Sequence, residues 1–241
     1  MQKTLKFKLI ILLWLTAPVF TGFASHSLGI YSELKFPPSR SSNILSTLDT
    51  QRLYFRPLEP RDSEAMIKIL VDPESIEMCG QDFDSESAVK LTTSNPLLRI
   101  ASNWKETIHF AVVLKENHQV IGMIQIARIQ EDEHNYGLQN HELDRLKDAS
   151  IGYAILKKLW GKGLATEAVK RIKDFSFYQL GVKRLVAETI PSNLASQRVL
   201  YKAGFEKIGE GPTSIGRAGL YFSAVPETGA KISISRQGLN R

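Results

Sequence analysis

The sequence predicts one domain of the mixed α/β class over residues 50–225. Two observations carry this prediction. Runs with strand-like alternation lie between stretches in which apolar residues recur at helical spacing, and the chain contains no internal repeat. The composition, with 43% hydrophobic and 23% charged residues, is typical of a globular protein and excludes collagen-like, coiled-coil and wholly disordered classes.

The first 24 residues form a separate unit. Three lysines precede an apolar run from Leu9 to Phe20, and small residues follow it up to Ala24. This order is typical of a secretory signal peptide, and the run is shorter than the roughly 20 residues of a membrane-spanning helix. We therefore expect export or delivery to an organelle, with membrane contact only through residues 1–24. The alternative is a cytoplasmic protein whose start codon is assigned too far upstream.

Two further segments flank the predicted domain. Residues 25–49 are rich in serine and poor in acid, which predicts an unstructured linker, and residues 226–241, which lack a core pattern, are expected to form a flexible tail. The net charge of +6 comes mainly from the two ends, because residues 50–225 carry 23 basic and 22 acidic side chains. A nucleic-acid-binding face on the domain is therefore not expected.

Cysteine and histidine usage narrows the chemistry. Cys79 is the single cysteine, which excludes an intrachain disulfide framework, and no cluster of Cys and His has the spacing of a zinc site. His134 and His141 lie in a polar segment and are poor evidence for a metal. His109 and His118 lie on or beside a predicted hairpin, where a single histidine is usually a surface or capping residue. We expect no bound metal.

The first half of the domain alternates between strands and helices. Residues 52–58 alternate as a strand that ends at Pro57. Asp62 is the predicted N-cap of a helix that stops at Asp72-Pro73. The remaining elements are a helix over 85–98, a hairpin with strands over 109–114 and 120–129, and a long polar loop over 130–148.

The second half continues the alternation. Residues 149–156 and 184–190 are predicted strands, and the helix over 163–180 between them carries apolar residues at helical spacing. The last elements are a helix over 193–203 and strands over 205–208 and 218–225.

The junction between the fourth predicted strand and its helix carries the first chemical signal. From Trp160 to Thr166 the chain places Gly161 and Gly163 immediately before the helix. The first turn of a helix leaves about four backbone N–H groups without partners at its positive dipole end, and glycines let a phosphate oxygen approach them. Lys162 adds a mobile positive charge. These residues predict a site for a pyrophosphate-bearing ligand.

Two familiar phosphate motifs do not fit this junction. A Walker loop needs glycine where Leu156 stands, and Ser or Thr where Gly163 follows the lysine. A dinucleotide fingerprint needs a third glycine, where Thr166 stands, and a position early in a βαβ unit. A nucleotide-dependent enzyme is excluded on these grounds.

Three further motifs accompany the junction in a fixed order. TQRLxxRP begins at Thr50, the strand Ile151-Gly152-Tyr153 precedes WGKGxATEA, and NxxSxxVLxKxGF begins at Asn193. Together they make residues 48–225 resemble the GNAT acetyltransferase superfamily, most closely its branch of ribosomal-protein-alanine N-acetyltransferases. The resemblance implies the GNAT acyl-CoA N-acyltransferase fold, a central splayed mixed β-sheet flanked by helices. It also implies an enzyme, an N-acetyltransferase with acetyl-CoA as co-substrate.

The resemblance implies that acetyl-CoA lies between the strands over 149–156 and 184–190. Its pantetheine would pair, like an added strand edge, with the backbone of Ile151, Gly152, Tyr153 and Ala154. Its pyrophosphate would sit on the residues of the loop and first helical turn, Trp160, Gly161, Lys162, Gly163, Leu164, Ala165 and Thr166. Asn193 is implied near the pantetheine, a role compatible with an ordinary N-cap, and Ser196 near the cofactor.

Direct acetyl transfer to an amine in a ternary complex needs no covalent enzyme intermediate. Backbone N–H groups near Gly152 and Tyr153 are the implied stabilisers of the oxyanion. Many relatives have Glu where Ser150 stands in this chain. The candidates for the general base are therefore acids nearby in sequence or on the neighbouring strand, namely Glu188, Asp148, Glu142 and Glu133.

The general acid is also displaced from the family pattern. Many superfamily members have a Tyr four residues before the Gly-Phe pair, where Leu200 stands here. Tyr201 follows one step later, about 100° round the helix. Tyr201 and a water molecule are the two candidates for the proton donor.

The predicted function is transfer of an acetyl group from acetyl-CoA to a primary amine. The acceptor is a protein N-terminus, by likeness to the nearest branch, or a small amine. The alternative is a non-catalytic acyl-CoA-binding or interaction module of the same fold, which the displaced acid and base and the leader favour. A monomer and a homodimer both remain open.

Overall fold

The computed structural model describes residues 48–79, 84, 86, 107–129, 144, 147–213 and 216–227. These residues form seven strands and four α-helices, in the order β1 (Leu53–Pro57), α1 (Ser63–Leu70), α2 (Pro73–Cys79), β2 (Ile108–Leu114), β3 (Val120–Arg128), β4 (Asp148–Ile155), α3 (Leu164–Tyr178), β5 (Arg184–Thr189), α4 (Leu194–Lys202), β6 (Glu206–Pro212) and β7 (Ala218–Ala224). The predicted leader, nearly all of the predicted linker, most of the tail, nearly all of the helix over 85–98 and most of the loop over 130–148 lie outside the described residues.

The strands form one mixed sheet in the order β1-β2-β3-β4-β5-β7-β6. Neighbouring strands run antiparallel throughout this order, except for the parallel pair β4 and β5. Parallel strands need a crossover connection, and helix α3 provides it. The predicted mixed α/β fold with a central mixed sheet is confirmed.

The two central strands separate after a short paired stretch. Their register covers Asp148 with Arg184, Ala149 with Leu185, and Ser150 with Val186. Beyond this point β4 continues to Ile155, and among the described strands it stays paired with β3 alone. The splay that the family resemblance implied is therefore present, and it opens towards the carboxyl ends of both strands.

Helices cover both faces of the sheet. Helices α3 and α4 pack on one face over the larger core, in which Phe110 of β2 meets Phe175 of α3 edge to face at 5.8 Å between ring centroids. Helix α1 packs on the opposite face, where Met66, Ile69 and Leu70 are buried against β2 and β3. No helix in the described part of the chain has the length and apolar character to cross a bilayer.

The core begins slightly earlier than the predicted domain start. Leu48 is buried in the larger core. Asp49 forms a β-bridge with Tyr54, and its carboxylate pairs with Lys115 at 2.6 Å. The last two residues of the predicted linker are therefore part of the fold, because an apolar side chain there completes the packing under α3.

Asp72-Pro73 both ends one helix and starts another. The Asp72 carboxylate accepts hydrogen bonds from the N–H groups of Glu74 and Ser75, each at 3.1 Å, and Pro73 is the first residue of α2. Proline is well tolerated at that position because its missing N–H has no helical partner to lose. The prediction of a helix stop was correct, but it missed the second helix.

Asp62 precedes α1 as predicted, but its side chain does not cap that helix. Its carboxylate instead accepts hydrogen bonds from the Arg56 guanidinium at 2.6 and 2.7 Å and from the Glu59 N–H at 2.9 Å. This bidentate pair ties the end of β1 to the start of α1, and Asp62 is only 3% exposed. Its role is therefore tertiary and not that of an N-cap.

Candidate active site

The loop between β4 and α3 is built on two glycines with left-handed backbone conformations. Gly161 and Gly163 have φ values of 75° and 76°, and Gly163 is the residue immediately before α3. A side chain is strained at such angles, which explains the glycines. No atom lies within 4 Å of the place that a Cβ of Gly161 would occupy, and Gly161, Lys162 and Gly163 are exposed. The predicted phosphate loop is thus open to a ligand.

Trp160 fixes the start of this loop, which here is called the glycine loop (residues 160–163). Its indole Nε1 donates to the Ile155 carbonyl oxygen at 2.5 Å, and its ring packs against the larger core. Leu156 donates its N–H to Ile121 on β3, so the preceding carbonyl of Ile155 faces the other edge of β4. Trp160 therefore closes the last part of the open strand edge.

The residues predicted to hold pantetheine lie where β4 has left β5. Ile151 to Ala154 follow the last β4–β5 register pair, Ser150 with Val186. The Tyr153 hydroxyl lies 2.9 Å from the Ser196 hydroxyl oxygen and donates to the Ser196 carbonyl at 3.3 Å. A side chain of β4 thus reaches the first turn of α4, and Tyr153 and Ser196, both predicted site residues, are brought together.

Asn193 is the N-cap of α4, as the sequence predicted. Its side-chain oxygen accepts the Ser196 N–H at 2.9 Å. Its amide nitrogen donates to the Met78 carbonyl at 2.8 Å. Both ends of the side chain therefore contact protein groups, and the cap also anchors helix α2.

Helix α2 connects the ends of the two diverging strands. Glu74 forms an ion pair with Lys157, just after β4, and Met78 accepts the hydrogen bond from Asn193, just after β5. The sequence prediction missed this helix altogether. A signal was present in the Asp72-Pro73-Glu74 order, in which a capping Asp precedes Pro and an acidic residue in a first turn.

Polar residues line up across the sheet on the face that points away from α3. His109, Gln125 and Gly152 are opposite one another on β2, β3 and β4. Glu188 on β5 is opposite Tyr221 on β7. Since Ser150 pairs with Val186, Gly152 and Glu188 stand at equivalent positions on the two separating strands. This arrangement, here called the polar row (His109, Gln125, Gly152, Glu188 and Tyr221), faces the split.

His109 is buried, contrary to the surface role that the sequence suggested. Its side chain lies on the face of β2 that points away from α3, and burial lowers its pKa to about 4, although a hydrogen bond to Gln125 opposes this. Within the described residues its Nδ1 has no hydrogen-bond partner. Gln125 lies against Gly152, with its amide nitrogen 3.2 Å from the place of a Cβ there. The ring is therefore neutral at physiological pH.

The base candidate Glu188 and the predicted site residue Ser150, which stands at the family's glutamate position, lie on the face of the polar row. Ser150 is 6% exposed and precedes the split. Glu188 is half-buried and follows Val186, which packs with Tyr221. Burial raises the pKa of Tyr221 to about 12, and the charge of Glu188 adds to this. Tyr221 was missed because cross-strand register is not visible in the sequence.

Asp148 is not the loop acid that the sequence suggested. It is the first residue of β4 and is 2% exposed, and its carboxylate accepts the Asp144 N–H at 3.0 Å and lies 3.8 Å from Nε of Arg184. Burial raises its pKa above the ordinary value. Asp148 lies at the closed end of the split. The other two loop acids, Glu133 and Glu142, lie outside the described residues.

The structure does not bring Tyr201 to Glu188. Tyr201 is 54% exposed on α4, and its ring contacts Phe222 edge to face at 5.3 Å. Phe222 belongs to the core under α3 and α4, whereas its neighbour Tyr221 belongs to the polar row on the opposite face. Leu200, at the family's tyrosine position, is fully buried. Both helix positions therefore lie on the side of the sheet away from the polar row.

The remaining predicted cofactor residues begin α3. Leu164 is buried in the core, whereas Ala165 and Thr166 are half-buried in the first turn beside the glycine loop. Among the residues that the structure describes, no three His, Cys, Asp or Glu side chains form a group that could hold a metal ion.

Comparison with known proteins agrees with this architecture. The sequence model of the GNAT acetyltransferase domain matches residues 52–206. A Bacillus subtilis protein named "Probable N-acetyltransferase YjcK" is 29% identical over 167 residues, which cover 67% of this chain and 84% of that protein.

Two solved structures share the fold. The aminoglycoside acetyltransferase AAC(6')-Ib, in complex with coenzyme A, superposes with a TM-score of 0.58 at 22% identity, covering 72% of this chain and 94% of that one. The ribosomal-protein-S5-alanine acetyltransferase from Vibrio fischeri gives 0.57 at 20% identity, covering 75% and 96%. With a family match over more than half of its length, a split central sheet and a glycine loop at the opening, the chain belongs to the GNAT acetyltransferase family.

Proposed function

We propose that this acetyltransferase moves an acetyl group from acetyl-CoA directly to a primary amine. The observation that carries the proposal is the divergence of β4 and β5 after Ser150 and Val186, with the glycine loop at the open end. A sheet that opens between two neighbouring strands presents a strand edge on which an extended ligand can lie. The glycine loop adds exposed backbone where the diphosphate would lie.

The residues present fit such a ligand. The backbone of Ile151 to Ala154 lies beyond the β4–β5 pairing, where the pantetheine arm would add as a strand. Gly161 and Gly163 leave the loop backbone accessible, and Lys162 is exposed beside them. Acetyl-CoA supplies an activated thioester. The protein orients the thioester and the amine and supplies a group that accepts the proton of the amine.

Glu188 is the proposed proton acceptor. An amine must lose a proton before or during attack, and a carboxylate beside the split can take it, directly or through one water. Glu188 stands level with Gly152 across the split, on the face opposite α3. His109 is uncharged there, so the row presents a single negative charge to an incoming cation.

The acceptor belongs to one of two classes. The Vibrio fischeri neighbour is named for a ribosomal-protein alanine, and the AAC(6')-Ib structures for aminoglycosides. We carry both classes, a protein N-terminus and a small amine, to this chain. A panel of peptides with free N-termini, polyamines, aminoglycosides and amino acids, scored by thiol release from acetyl-CoA, separates them.

Calorimetric titration of the purified chain with coenzyme A tests the donor. Binding below millimolar concentration is expected, and its absence at millimolar coenzyme A would overturn the proposal. Binding without thiol release against the whole amine panel would replace the enzyme by a non-catalytic acyl-CoA-binding module.

We also propose that residues 1–24 direct the protein to export or to an organelle. Their support is the basic start and short apolar run. N-terminal sequencing of the protein from its native cell is the test. A first residue beyond Ala24 supports processing, whereas an intact Met1 start favours a retained anchor or an unused leader.

Substitution of Gly161 in the glycine loop should weaken the binding of coenzyme A without an equal loss in the stability of the folded domain. In Gly161→Ala, a left-handed φ of 75° is imposed on a residue with a Cβ, which costs about 1–2 kcal/mol. We expect the loop to leave its binding conformation and the Kd of coenzyme A to rise about 5- to 30-fold. Calorimetry measures the change.

Gly181→Ala is the matched control for this prediction. Gly181 also has a positive φ, 69°, and open space around the place of its Cβ, but it follows α3 at the end far from the glycine loop. Its substitution should lower the free energy of unfolding by about 1–2 kcal/mol and leave the Kd of coenzyme A unchanged. Equal effects of both variants on the Kd would contradict a binding role for the loop.

A further inference from the structure

One carboxylate joins the start of the domain to the helix behind the glycine loop. Glu167, in the first turn of α3, accepts hydrogen bonds from the Thr50 hydroxyl at 2.5 Å and from the Arg52 N–H at 2.9 Å. The Arg52 guanidinium adds two further contacts, Nε at 2.7 Å and Nη2 at 2.6 Å. The TQRL and ATEA motifs, which are 115 residues apart, thus meet at a single side chain.

The same guanidinium contacts the glycine loop. Nη1 of Arg52 donates to the Lys162 carbonyl at 3.0 Å, and Nη2 lies 3.6 Å from the place of a Cβ on Gly163. Lys162 stands between the two left-handed glycines. Arg52 therefore touches the loop through its backbone and not through the lysine side chain.

This contact sets the orientation of one peptide group. In a planar trans peptide the carbonyl oxygen and the following N–H point in opposite directions. Because the Lys162 carbonyl is turned towards Arg52, the Gly163 N–H points away from the guanidinium. Glycine residues restrict their backbone least, so a loop with glycines on both sides of Lys162 needs an external contact to keep one orientation.

We propose that Arg52, held by Glu167, is a positioning residue that keeps the amides of the glycine loop directed at the diphosphate of acetyl-CoA. This inference rests on the proposed function. Arg52 acts through the loop backbone, so it is not a catalytic residue.

The geometry distinguishes this group from an ordinary surface ion pair. Exposed pairs contribute little because two long side chains must be ordered in water, and Arg52 is 45% exposed. Here, however, the Glu167 side chain is 18% exposed and also accepts a backbone N–H and a hydroxyl. Burial alone would raise its pKa, but the hydrogen bonds from Thr50 and Arg52 outweigh burial and lower it. The carboxylate is therefore ionised.

Loss of the contact should reduce the fraction of molecules with a binding-competent loop. The apparent Kd of a ligand rises in inverse proportion to that fraction. A fall of the fraction to about one tenth in Arg52→Ala would raise the Kd of coenzyme A about tenfold. Pantetheine lacks the diphosphate, so its affinity should stay within about twofold of wild type.

The test is calorimetric titration of the full chain and its variants with coenzyme A and with pantetheine. Arg52→Lys should resemble Arg52→Ala, because one ammonium group does not reproduce the fork that contacts Glu167 and the loop together. Glu167→Gln releases Arg52 from its strongest partner. Weaker coenzyme A binding in Glu167→Gln supports positioning, whereas tighter binding shows that Arg52 contacts phosphate itself and overturns the proposal.

Lys115→Ala is the control. The Lys115 side chain pairs with Asp49 beside the same N-terminal turn, at 2.6 Å, and belongs neither to the glycine loop nor to the Arg52–Glu167 contact. It should leave both affinities unchanged. Wild-type protein that fails to bind coenzyme A overturns the proposed function. Wild-type binding that Arg52→Ala leaves within about twofold overturns this inference alone, and normal pantetheine binding shows that the variant is folded.

Discussion

Glu188→Gln should lower kcat for amine acetylation by about 100-fold or more, which is the usual effect of losing a general base. Glutamine keeps the shape of the side chain but does not take a proton from the amine. The Kd of coenzyme A should not change, because Glu188 lies on β5 opposite Tyr221 and not on the glycine loop. Steady-state kinetics together with calorimetry measure the two effects separately.

The pH profile gives a second readout for the same variant. An α-amino group has a pKa of about 7.7–8.0, so without a base the reaction depends on the fraction of acceptor that is already neutral. The rate of Glu188→Gln should rise with pH until the acceptor is fully deprotonated. Glu206→Gln, an exposed acid on the edge strand β6, is the control. A kcat for Glu188→Gln within about threefold of wild type would exclude Glu188 as the base.

Asp62→Ala should destabilise the domain by about 3 kcal/mol, the low end of the range for breaking a buried ion pair. The low end applies because the Arg56 side chain is 20% exposed and regains some water. Removal of Asp62 takes away the carboxylate that accepts from the guanidinium and from the Glu59 N–H, and leaves the guanidinium its hydrogen bond to the Pro57 carbonyl. Denaturant unfolding measures the loss. The Glu64→Ala variant, which removes the exposed partner of Lys68 in the same helix, should leave the midpoint unchanged.

The contribution of the Arg56–Asp62 pair to the stability of the domain has a predictable pH dependence. Burial alone would raise the pKa of Asp62, but hydrogen bonds from Arg56 and from the Glu59 N–H outweigh it and lower the pKa. A lowered folded pKa contributes stability that is present above the unfolded value of about 3.9 and lost as pH falls through the folded value. The stability gap between wild type and Asp62→Ala should therefore narrow in acid. A gap that widens below pH 4 would contradict this assignment.

Local patterns in the sequence predicted the seven described strands, three of the four described helices and the position of the glycine loop. The glycine loop follows from two glycines before a helix, and the cap at Asn193 follows from its place before an apolar stretch. These features depend on neighbours within a few residues, which the sequence shows directly. The split between β4 and β5 came from family resemblance, since nothing in either strand's own composition marks it.

Features that depend on the order of strands in the sheet could not be predicted from the sequence pattern. The polar row needs β2, β3, β4, β5 and β7 to be placed side by side in register, and no local rule supplies that register. Asp148 looked like a loop acid because it follows a polar segment, yet pairing with Arg184 makes it the first residue of a buried strand. The Arg52–Glu167 contact joins distant motifs and was likewise invisible.

Helix α2 has a consequence for the choice of acyl donor. Its two anchors, Glu74 and Met78, are one helical turn apart, or about 6 Å, and they hold the residues that follow β4 and β5. The spacing of those residues is therefore set by a rigid length of helix. A thioester with a longer acyl chain is expected to need a wider opening. Substitutions meant to change the preferred acyl-chain length should consequently target the contacts of Glu74 and Asn193 before the residues that line the cleft.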